Sequence, residues 1–526
     1  MAASDPAAAS APAGVDHDVA RLHQLGYAQE LLRKMSGFSN FAVSFTIISI
    51  LSGCLTLYLF GMNTGGPVIM SIGWPLVGLM VTLVGLAMAE VCSSYPTAGG
   101  LYYWSAKLAR RNAPAWSWFT GWFNLLGQVA VTAGIDFGGA FFISAFLSLV
   151  TPFTATPGHV ILVYAVVLFL HGLLNTFGVR LVALLNDVSV WWHIVGVVVI
   201  VVTLAVVPDH HQPLSFVFGK FVNNTGIHAG WYVFLIGLLL AQYTFTGYDA
   251  SAHMTEETRG AEVAGPRGIV MSILVSLVAG WVLLVGVTWA IQKYSGALAS
   301  ATGVPPAQIF IDAVGRKGAE LLLLIVIGAQ FYCGMSSVTA NSRMIYAFSR
   351  DKALPLSDVW HRINKRTRTP TNSIWLATVG AFILGLPYLK NYAAYAAVTS
   401  IAVIGLYIAY IIPVFLRLRA GDSFRRGPWH LGRWSRLVGW LAVGWVAFIT
   451  VLFMLPQISP ITWSTFNYTP VAVAVVLGFA GIWWLVSARR WFTGPKVQGT
   501  AEELAAIERE LESVGAAPAP APEAAG

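Results

Sequence analysis

The chain has 526 residues, of which 56% are hydrophobic and only 10% carry a charged side chain. Soluble domains carry roughly a quarter charged residues, so this composition excludes an ordinary soluble protein and indicates a polytopic membrane protein. The net charge of +8 does not indicate a nucleic-acid partner, because the basic residues cluster in the gaps between apolar runs, as they do in loops that face the cytoplasm.

Twelve apolar segments can cross the hydrocarbon core of a bilayer, which takes about 20 helical residues. They lie at 38–60, 67–91, 116–150, 158–177, 185–207, 230–257, 267–292, 318–348, 371–389, 392–416, 436–455 and 468–488. We therefore predict an all-α polytopic membrane protein with twelve transmembrane helices. We expect an N-terminal segment at 1–35, the twelve-helix domain at 36–490 and a C-terminal tail at 491–526. Within the tail, residues 501–514 predict a short amphipathic helix.

The distribution of basic residues predicts the orientation of the chain. With the N-terminus inside, 26 of the 31 lysines and arginines fall in the inner segments, and an even number of crossings puts both termini on one side. Because cytoplasmic loops are enriched in lysine and arginine, we expect both termini in the cytoplasm.

Two of the twelve segments change character partway along. The first contains ILSGCLT at 50–56, and the sixth contains YTFTGYD at 243–249. A glycine among small polar residues is a place where a helix can unwind. Unwound backbone at membrane depth is tolerated only where it is buried in protein or lines a water-filled cavity. The two segments are five apart, so the second copy would be inverted relative to the first. Broken helices at matching places in inverted halves indicate a transporter site near the bilayer midplane.

A pair of broken helices suits a ligand with both an amine and a carboxylate. The N–H groups that start a second half-helix attract an anion, and the carbonyls that end a first half-helix attract an ammonium. We expect Ser52, Gly53 and Cys54 to offer donors, and the sixth segment to offer carbonyl oxygens. The candidate substrate-binding residues are Ser52, Gly53, Cys54, Tyr243, Thr244, Thr246 and Gly247. The alternatives are small-residue helix packing in the first segment and a bent helix with satisfied polar groups in the sixth.

Four ionisable residues in or beside the apolar segments are candidates for coupling or gating. His193 could carry a coupling proton, because histidine titrates near physiological pH, or it could be a neutral hydrogen-bonded side chain. Asp136 and Asp249 could hold a proton or cation or could brace helices, and for Asp249 we favour bracing by capping the second half-helix. Glu90, at the inner end of the second segment, could be a gate or a loop anchor.

No residues in the sequence predict catalysis, a cofactor or a metal site. Cys54, Cys92 and Cys333 have no metal-ligand spacing and form no disulfide framework. The apolar segments contain no nucleophile–base arrangement, and the chain has no Walker-type phosphate loop. We therefore do not expect an enzyme or an ATP-driven pump.

Eight stretches of the sequence carry a family resemblance. They are SFTIIS (44–49), GGP (65–67), AEVCSSYPTAGGLYYW (89–104), GWFN (121–124), QYTFTGYD with HMTEET (242–249 and 253–258), GMSS (334–337), NYTP (467–470) and WFTGP (491–495). Through them the chain resembles the amino acid–polyamine–organocation superfamily, and within it the plant bidirectional amino acid transporters and the GABA permeases. The similarity covers about residues 30–497.

The resemblance implies a 5+5 inverted-repeat (LeuT-like) bundle with discontinuous helices 1 and 6 and two extra helices. It implies secondary transport of an amino acid, GABA or a related zwitterion across the plasma or inner membrane by alternating access. The resemblance implies that the family's substrate backbone contacts fall on six of the seven candidates, all except Gly247. Some superfamily members have a lysine in the fifth helix that stands in for a sodium ion, and His193 falls at about that position. Because this chain departs from lysine there, the resemblance leaves proton coupling open, and both proton symport and exchange remain alternatives.

An alternative with the same fold is a permease for choline, ethanolamine or a polyamine. A quaternary ammonium favours a cage of aromatic rings. Tyr58, Phe245, Tyr248 and Tyr332 are the residues that could form its walls.

Overall fold

The computed structural model of the protein describes residues 17–177, 179–300, 302–390 and 393–516, and it is almost entirely helical. The helices of the first half are α1 His17–Leu25, α2 Gly37–Ile48, α3 Ile50–Thr56, α4 Tyr58–Asn63, α5 Trp74–Ser94, α6 Gly100–Leu108, α7 Ala113–Val150, α8 Pro157–Phe177, α9 Val179–Val206, α10 Leu214–Gly219 and α11 Gly230–Gly237. Those of the second half are α12 Leu239–Thr244, α13 Ala250–His253, α14 Ala261–Trp289, α15 Tyr294–Leu298, α16 Pro305–Arg350, α17 Ser357–Trp360, α18 Thr371–Gly385, α19 Ala393–Ala420, α20 Ser435–Met454, α21 Thr469–Val486 and α22 Ala501–Ala516. Two short strands, β1 Thr64–Gly65 and β2 Val222–Asn223, pair antiparallel.

Eleven helical segments of the described chain are long and apolar enough to cross a membrane. They correspond to eleven of the twelve predicted segments, and the chain is an integral multi-pass membrane protein. The remaining predicted segment, the sixth, is divided into α11, α12 and α13, and its apolar part at Gly230–Thr244 is shorter. The eighth predicted segment starts too late at 318, because α16 begins at Pro305 and turns at Gly315, whose φ of 73° favours glycine.

Two interrupted segments lie between the long helices. We call α2 to α4 (37–63) the first broken segment and α11 to α13 (230–253) the second broken segment. The first packs against α9, α14 and α16, and the second against α5 and α19. The helices around them approach closely at small residues: a Cβ added at Gly405 of α19 would lie 2.9 Å from the Cα of Gly127 in α7. Glycines at such crossings allow close backbone packing in membranes.

Both ends of the described chain lie on one face of the bundle, which we call the terminal face; the opposite one is the distal face. His23 of α1 contacts Glu508 of α22 at 2.8 Å, and Lys365 contacts Glu510 at 2.7 Å. The helix predicted at 501–514 is confirmed as α22. The part of the tail beyond α22, from 517 onward, and residues 1–16 lie outside the described residues.

A buried carboxylate also ties the ends of the chain to the terminal face. Asp351, directly after α16, accepts hydrogen bonds from the hydroxyls of Tyr27 and Tyr102 at 3.1 and 2.7 Å and from the Lys496 N–H at 3.1 Å. Burial raises the pKa of Asp351 above its ordinary value, although the neighbouring Arg350 acts in the opposite direction. The segments before α2 and after α21 are therefore part of the folded terminal face.

Candidate functional site

The break in the first broken segment is centred on Ser49. This residue has left-handed backbone angles (φ 36°, ψ 85°) between α2 and α3. Its carbonyl accepts the N–H groups of Ser52 and Gly53 at 2.8 and 2.9 Å. The side chain of Ser49 makes no capping hydrogen bond to the N–H groups at the start of α3. The N–H groups of Ser52 and Gly53, which the sequence predicted as free donors, are occupied by the Ser49 carbonyl.

The break in the second broken segment is longer. The helix stops after Thr244 and resumes at Ala250, and Gly247 between them has a φ of 91°. The hydroxyl of Thr246 donates to the Tyr243 carbonyl at 2.7 Å. The carbonyls of Thr244 and Thr246 accept no hydrogen bond from any described residue. Two of the three predicted carbonyls are therefore free, and the third is occupied by a side chain of the same segment.

The two breaks contact each other through glycines. A Cβ added at Gly53 would lie 2.7 Å from the side chain of Thr244, and one added at Gly247 would lie 2.1 Å from Cγ2 of Ile47. Each glycine thus makes room for a side chain of the other segment. Cys54, the remaining predicted residue of the first segment, is fully buried and within hydrogen-bonding reach of Thr244. The structure brings the two groups of predicted residues together at one crossing.

Helix α16 holds the first break through residues that the sequence did not single out. The Ser52 hydroxyl donates to Gln330 at 2.6 Å, and the Gln330 amide donates to Thr56 at 2.9 Å. The Cys333 thiol donates to the carbonyl of Ile47 at 3.2 Å. Gln330 could have been found as an amide inside an apolar segment, which must have a partner.

Helix α19 holds the second break through two tyrosines, also missed from the sequence. The Tyr407 hydroxyl donates to the carbonyl of Phe245. The Tyr410 hydroxyl accepts the N–H of Gly247 at 3.2 Å and donates to Asp249 at 2.6 Å. The unwound backbone is therefore partly satisfied by phenol groups, as buried backbone requires.

Asp249 occupies the N-cap position of α13, but its side chain makes no capping hydrogen bond. The capping interaction expected from its place in the sequence is therefore wrong. Its carboxylate instead accepts from Gln128 at 2.8 Å and from Tyr410, and it lies 3.3 Å from Nε2 of His253. These contacts tie the second broken segment to α7 and α19.

The side chain of His193, in α9, contacts the first break. Its Nε2 is 2.7 Å from the Ser49 hydroxyl and its Nδ1 is 2.8 Å from the Ser189 carbonyl. Because a carbonyl can only accept, Nδ1 carries a hydrogen, and both ring nitrogens have hydrogen-bond partners. Glu90 lies apart from the crossing, where it contacts Arg417 at 3.0 Å and accepts from Ser435. It joins α5 to α19 and α20.

Asp136 of α7 contacts a histidine that the sequence did not single out. Its Oδ1 lies 3.1 Å from Nδ1 of His171 in α8, and both side chains are fully buried. A histidine facing an acid from another apolar segment has no signature in local spacing, which explains why His171 was missed.

The four rings considered for an aromatic cage do not enclose a common space. The Tyr58 hydroxyl is hydrogen-bonded to that of Thr288 at 2.7 Å. The other three rings each lie beside another aromatic ring, with centroids 4.5 Å apart for Phe245 and Trp74, 4.8 Å for Tyr248 and Tyr410, and 6.1 Å for Tyr332 and Trp192. Each ring therefore packs against a different partner.

Access to the crossing differs between the two faces. A vestibule of about 590 Å³ leads from the distal side to Thr56, Leu57 and Leu239. Toward the terminal face, two buried ion pairs follow the second break: Glu256 with Arg350 at 3.0 Å and Glu257 with Arg343 at 2.8 Å. A smaller cavity of about 320 Å³ lies beside the second pair.

Comparison with known proteins identifies the family. The profile described as amino acid permease matches residues 35–479. The chain is similar to amino-acid permease BAT1 of Arabidopsis thaliana (46% identity, 91% of this chain and 96% of the relative) and to its Oryza sativa homolog (46%, 93% and 98%). It is also similar to the GABA-specific permease of Saccharomyces cerevisiae (34%, 90% and 85%). The chain therefore belongs to the amino acid permease family of the amino acid–polyamine–organocation superfamily, whose members are membrane transporters and not enzymes.

Proposed function

We propose that the protein is a secondary transporter that moves a zwitterionic amino acid across the plasma or inner membrane by alternating access, with GABA or a related zwitterion as the candidate substrate. The observation that carries this proposal is the crossing of the two broken segments, where the start of α3 without a side-chain cap and the free carbonyls of the second break occur together. The name of the yeast GABA-specific permease supports GABA as one compound to test.

The substrate's charged ends match the two breaks. The N–H groups at the start of α3, which the Ser49 side chain does not cap, lie at the positive end of that helix and suit a carboxylate. The free carbonyls of Thr244 and Thr246 lie at the negative end of α12 and suit an ammonium group. The seven predicted residues remain the proposed substrate site, with Ser52, Gly53 and Cys54 shaping the first break around those donors.

The proposed architecture is twelve crossings with a 5+5 inverted repeat, a membrane domain at 36–490 and both termini in the cytoplasm. In this orientation the terminal face is cytoplasmic, and the vestibule opens to the outside. The ion pairs of Glu256 with Arg350 and Glu257 with Arg343 must then separate for release to the cytoplasm. Buried pairs of this kind are costly to break singly, which suits a barrier that opens as a unit.

The free-energy source is either a proton gradient or exchange against an internal amino acid. His193, Asp249, Asp136 and Glu90 remain the candidates for coupling and gating. Their surroundings differ, because His193 and Asp249 have several hydrogen-bond partners, whereas among the described residues the Asp136 carboxylate has no well-formed hydrogen bond and lies 3.1 Å from His171.

The test is uptake by proteoliposomes that contain the full-length protein, using labelled GABA, glutamate, alanine and choline. Counterflow, in which unlabelled internal substrate drives entry of the labelled compound, reports transport without any coupling ion. We expect counterflow of at least one amino acid and none in protein-free liposomes. Transport of choline alone would contradict the zwitterion proposal, and absence of counterflow for all four compounds would contradict this substrate range.

A further inference from the structure

We propose that Asp136 and His171 form a proton-binding site that couples proton movement to the substrate site. This inference rests on the proposed function, because it assigns an energy-coupling role within the same transport cycle. The two side chains come from α7 and α8 and are fully buried, with Oδ1 of Asp136 3.1 Å from Nδ1 of His171.

The pair lacks the hydrogen bonds that would stabilise one charge state permanently. Neither oxygen of Asp136 and neither ring nitrogen of His171 has a well-formed hydrogen bond to any described residue. An acid in low dielectric is stabilised in its ionised form by donors, and in the described chain the His171 imidazole is the group at ion-pair distance from Asp136. The proton balance is simple: binding one proton converts a carboxylate beside a neutral imidazole, net charge −1, into a neutral pair that shares that proton.

The second buried pair, Asp249 with His253, provides the contrast. The Asp249 carboxylate accepts from the Gln128 amide and the Tyr410 hydroxyl, and Nδ1 of His253 faces the Ala98 carbonyl at 2.9 Å. The Asp249 carboxylate therefore has two hydrogen-bond donors besides the histidine, which the Asp136 carboxylate lacks. The comparison assigns a bracing role to Asp249 and leaves the exchangeable proton to Asp136.

The surroundings of the pair contain few other ionisable groups. Those that interact with Asp136 are Tyr164 of α8, Tyr243 of α12 and Cys333 of α16. From α19, Tyr395 approaches the neighbouring Gly134 carbonyl at 3.4 Å, and the ring of Phe331 in α16 lies 4.5 Å from that of His171. No other ion pair in the described chain includes Asp136 or His171. Loss of the proton would therefore leave a buried carboxylate with no cation beside it, which is costly unless water enters.

Both breaks of the substrate site contact residues next to the pair. The Tyr243 hydroxyl packs at Gly134, two residues before Asp136, where an added Cβ would lie 2.5 Å away. Cys333 donates to Ile47 at the first break, and it directly precedes Gly334, where an added Cβ would lie 1.8 Å from Oδ1 of Asp136. A change in the size or position of the carboxylate is thus transmitted to each broken segment by packing. Proton and substrate can bias the same structural change, which coupling requires.

The experiment compares accumulation with counterflow in proteoliposomes clamped at zero membrane potential. With the outside more acidic by about one pH unit, each coupled proton supports roughly tenfold accumulation of the labelled amino acid at equilibrium. We expect this accumulation in the wild type and none in Asp136→Asn or His171→Gln. Counterflow should persist in both variants, since it needs no net proton movement. His159→Gln is the matched control, because His159 is exposed at the distal start of the same helix α8.

Accumulation by both variants at the wild-type level would overturn the proposal. Wild-type counterflow without any accumulation would also overturn it while leaving amino acid transport intact, so the two proposals fail separately. If the variants lose counterflow, titration calorimetry of the amino acid in two buffers of different ionisation enthalpy counts the protons exchanged on binding. A change in that count relative to the wild type supports the proposal. An unchanged count, or no binding at all, assigns the pair to structure or to the substrate site and overturns it.

Discussion

The two broken segments reach the same crossing by different means. The first changes direction at one residue, Ser49, whose hydroxyl contacts His193 of α9. The second leaves helical geometry from Phe245 to Asp249 and is held by two tyrosines of α19. A one-residue break keeps most of its hydrogen bonds within the segment, whereas a five-residue break needs partners from elsewhere. We therefore expect the second break to be more sensitive to substitution than the first.

The largest effect should come from Gly247→Val. Position 247 has a φ of 91°, and an added Cβ would lie 2.1 Å from Cγ2 of Ile47. Backbone strain and overpacking together cost roughly 2–5 kcal/mol, which would displace the two segments from their crossing. We expect uptake to be abolished while the amount of protein in the membrane stays normal, as measured by labelled amino acid uptake and quantitative immunoblotting.

Gly260→Val is the control for backbone strain alone. Gly260 also has a positive φ, of 63°, but no atom lies within 4 Å of an added Cβ. We expect this variant to retain most of the uptake. Equal activity of the two valine variants would show that the contact with Ile47 does not shape the site.

A smaller loss should follow Gly53→Ala in the first break. The added Cβ would lie 2.7 Å from both Cγ2 and Oγ1 of Thr244, but position 53 lies within α3 and has no unusual backbone angle. Overpacking of about 1–3 kcal/mol predicts a decrease in uptake of roughly tenfold to a hundredfold.

Adding Thr244→Ala to Gly53→Ala tests whether that contact is responsible. Alanine removes the two closest atoms, Cγ2 and Oγ1, and leaves the Thr244 Cβ at 2.9 Å from the new Cβ, so the double variant should recover part of the lost uptake relative to Gly53→Ala. Independent effects of the two substitutions would multiply instead, and a double-mutant cycle of uptake rates distinguishes the two results.

Tyr410→Phe should have an intermediate effect that is confined to the second break. It removes the acceptor for the Gly247 N–H and one donor to Asp249. Loss of buried hydrogen bonds costs about 1–2 kcal/mol, so we expect uptake to decrease about fivefold to thirtyfold. Tyr468→Phe is the control, since the Tyr468 hydroxyl donates to the exposed Trp463 carbonyl and not, among the described residues, to either broken segment. Wild-type uptake by Tyr410→Phe would mean that the unwound backbone does not need this phenol.

The two segments that contain the breaks could be predicted from the sequence, but the break at Ser49 and most of the partners could not. Glycine among small polar residues inside an apolar run marks Gly53 and Gly247, because those residue types permit unwinding and close contact. Tyr410 is 161 residues from Asp249, and no local spacing reveals that they meet. For Asp249, the local capping rule failed because partners from α7 and α19 compete for the same carboxylate. Ser49 carries no signature of its left-handed backbone, which depends on the surrounding helices.

The smallest expected effect is that of His193→Gln, which separates two interpretations of the first break. The imidazole has hydrogen bonds from both nitrogens, and glutamine retains a donor and an acceptor at similar reach. If the ring only supports Ser49, uptake should decrease by about threefold, equivalent to a partly weakened hydrogen bond. The pH dependence of uptake should then match that of the wild type, because the residue does not titrate during transport.

The sequence-based prediction for His193 has the opposite consequence. A histidine that carries the coupling proton would, once replaced, flatten the pH profile and abolish accumulation in a pH gradient while exchange continues. Measuring initial uptake from pH 5 to 8 in His193→Gln and His171→Gln side by side therefore assigns the proton to one histidine. A flattened profile in His171→Gln alone would mean that His193 of α9 supports the first break, whereas His171 of α8 takes part in binding the proton.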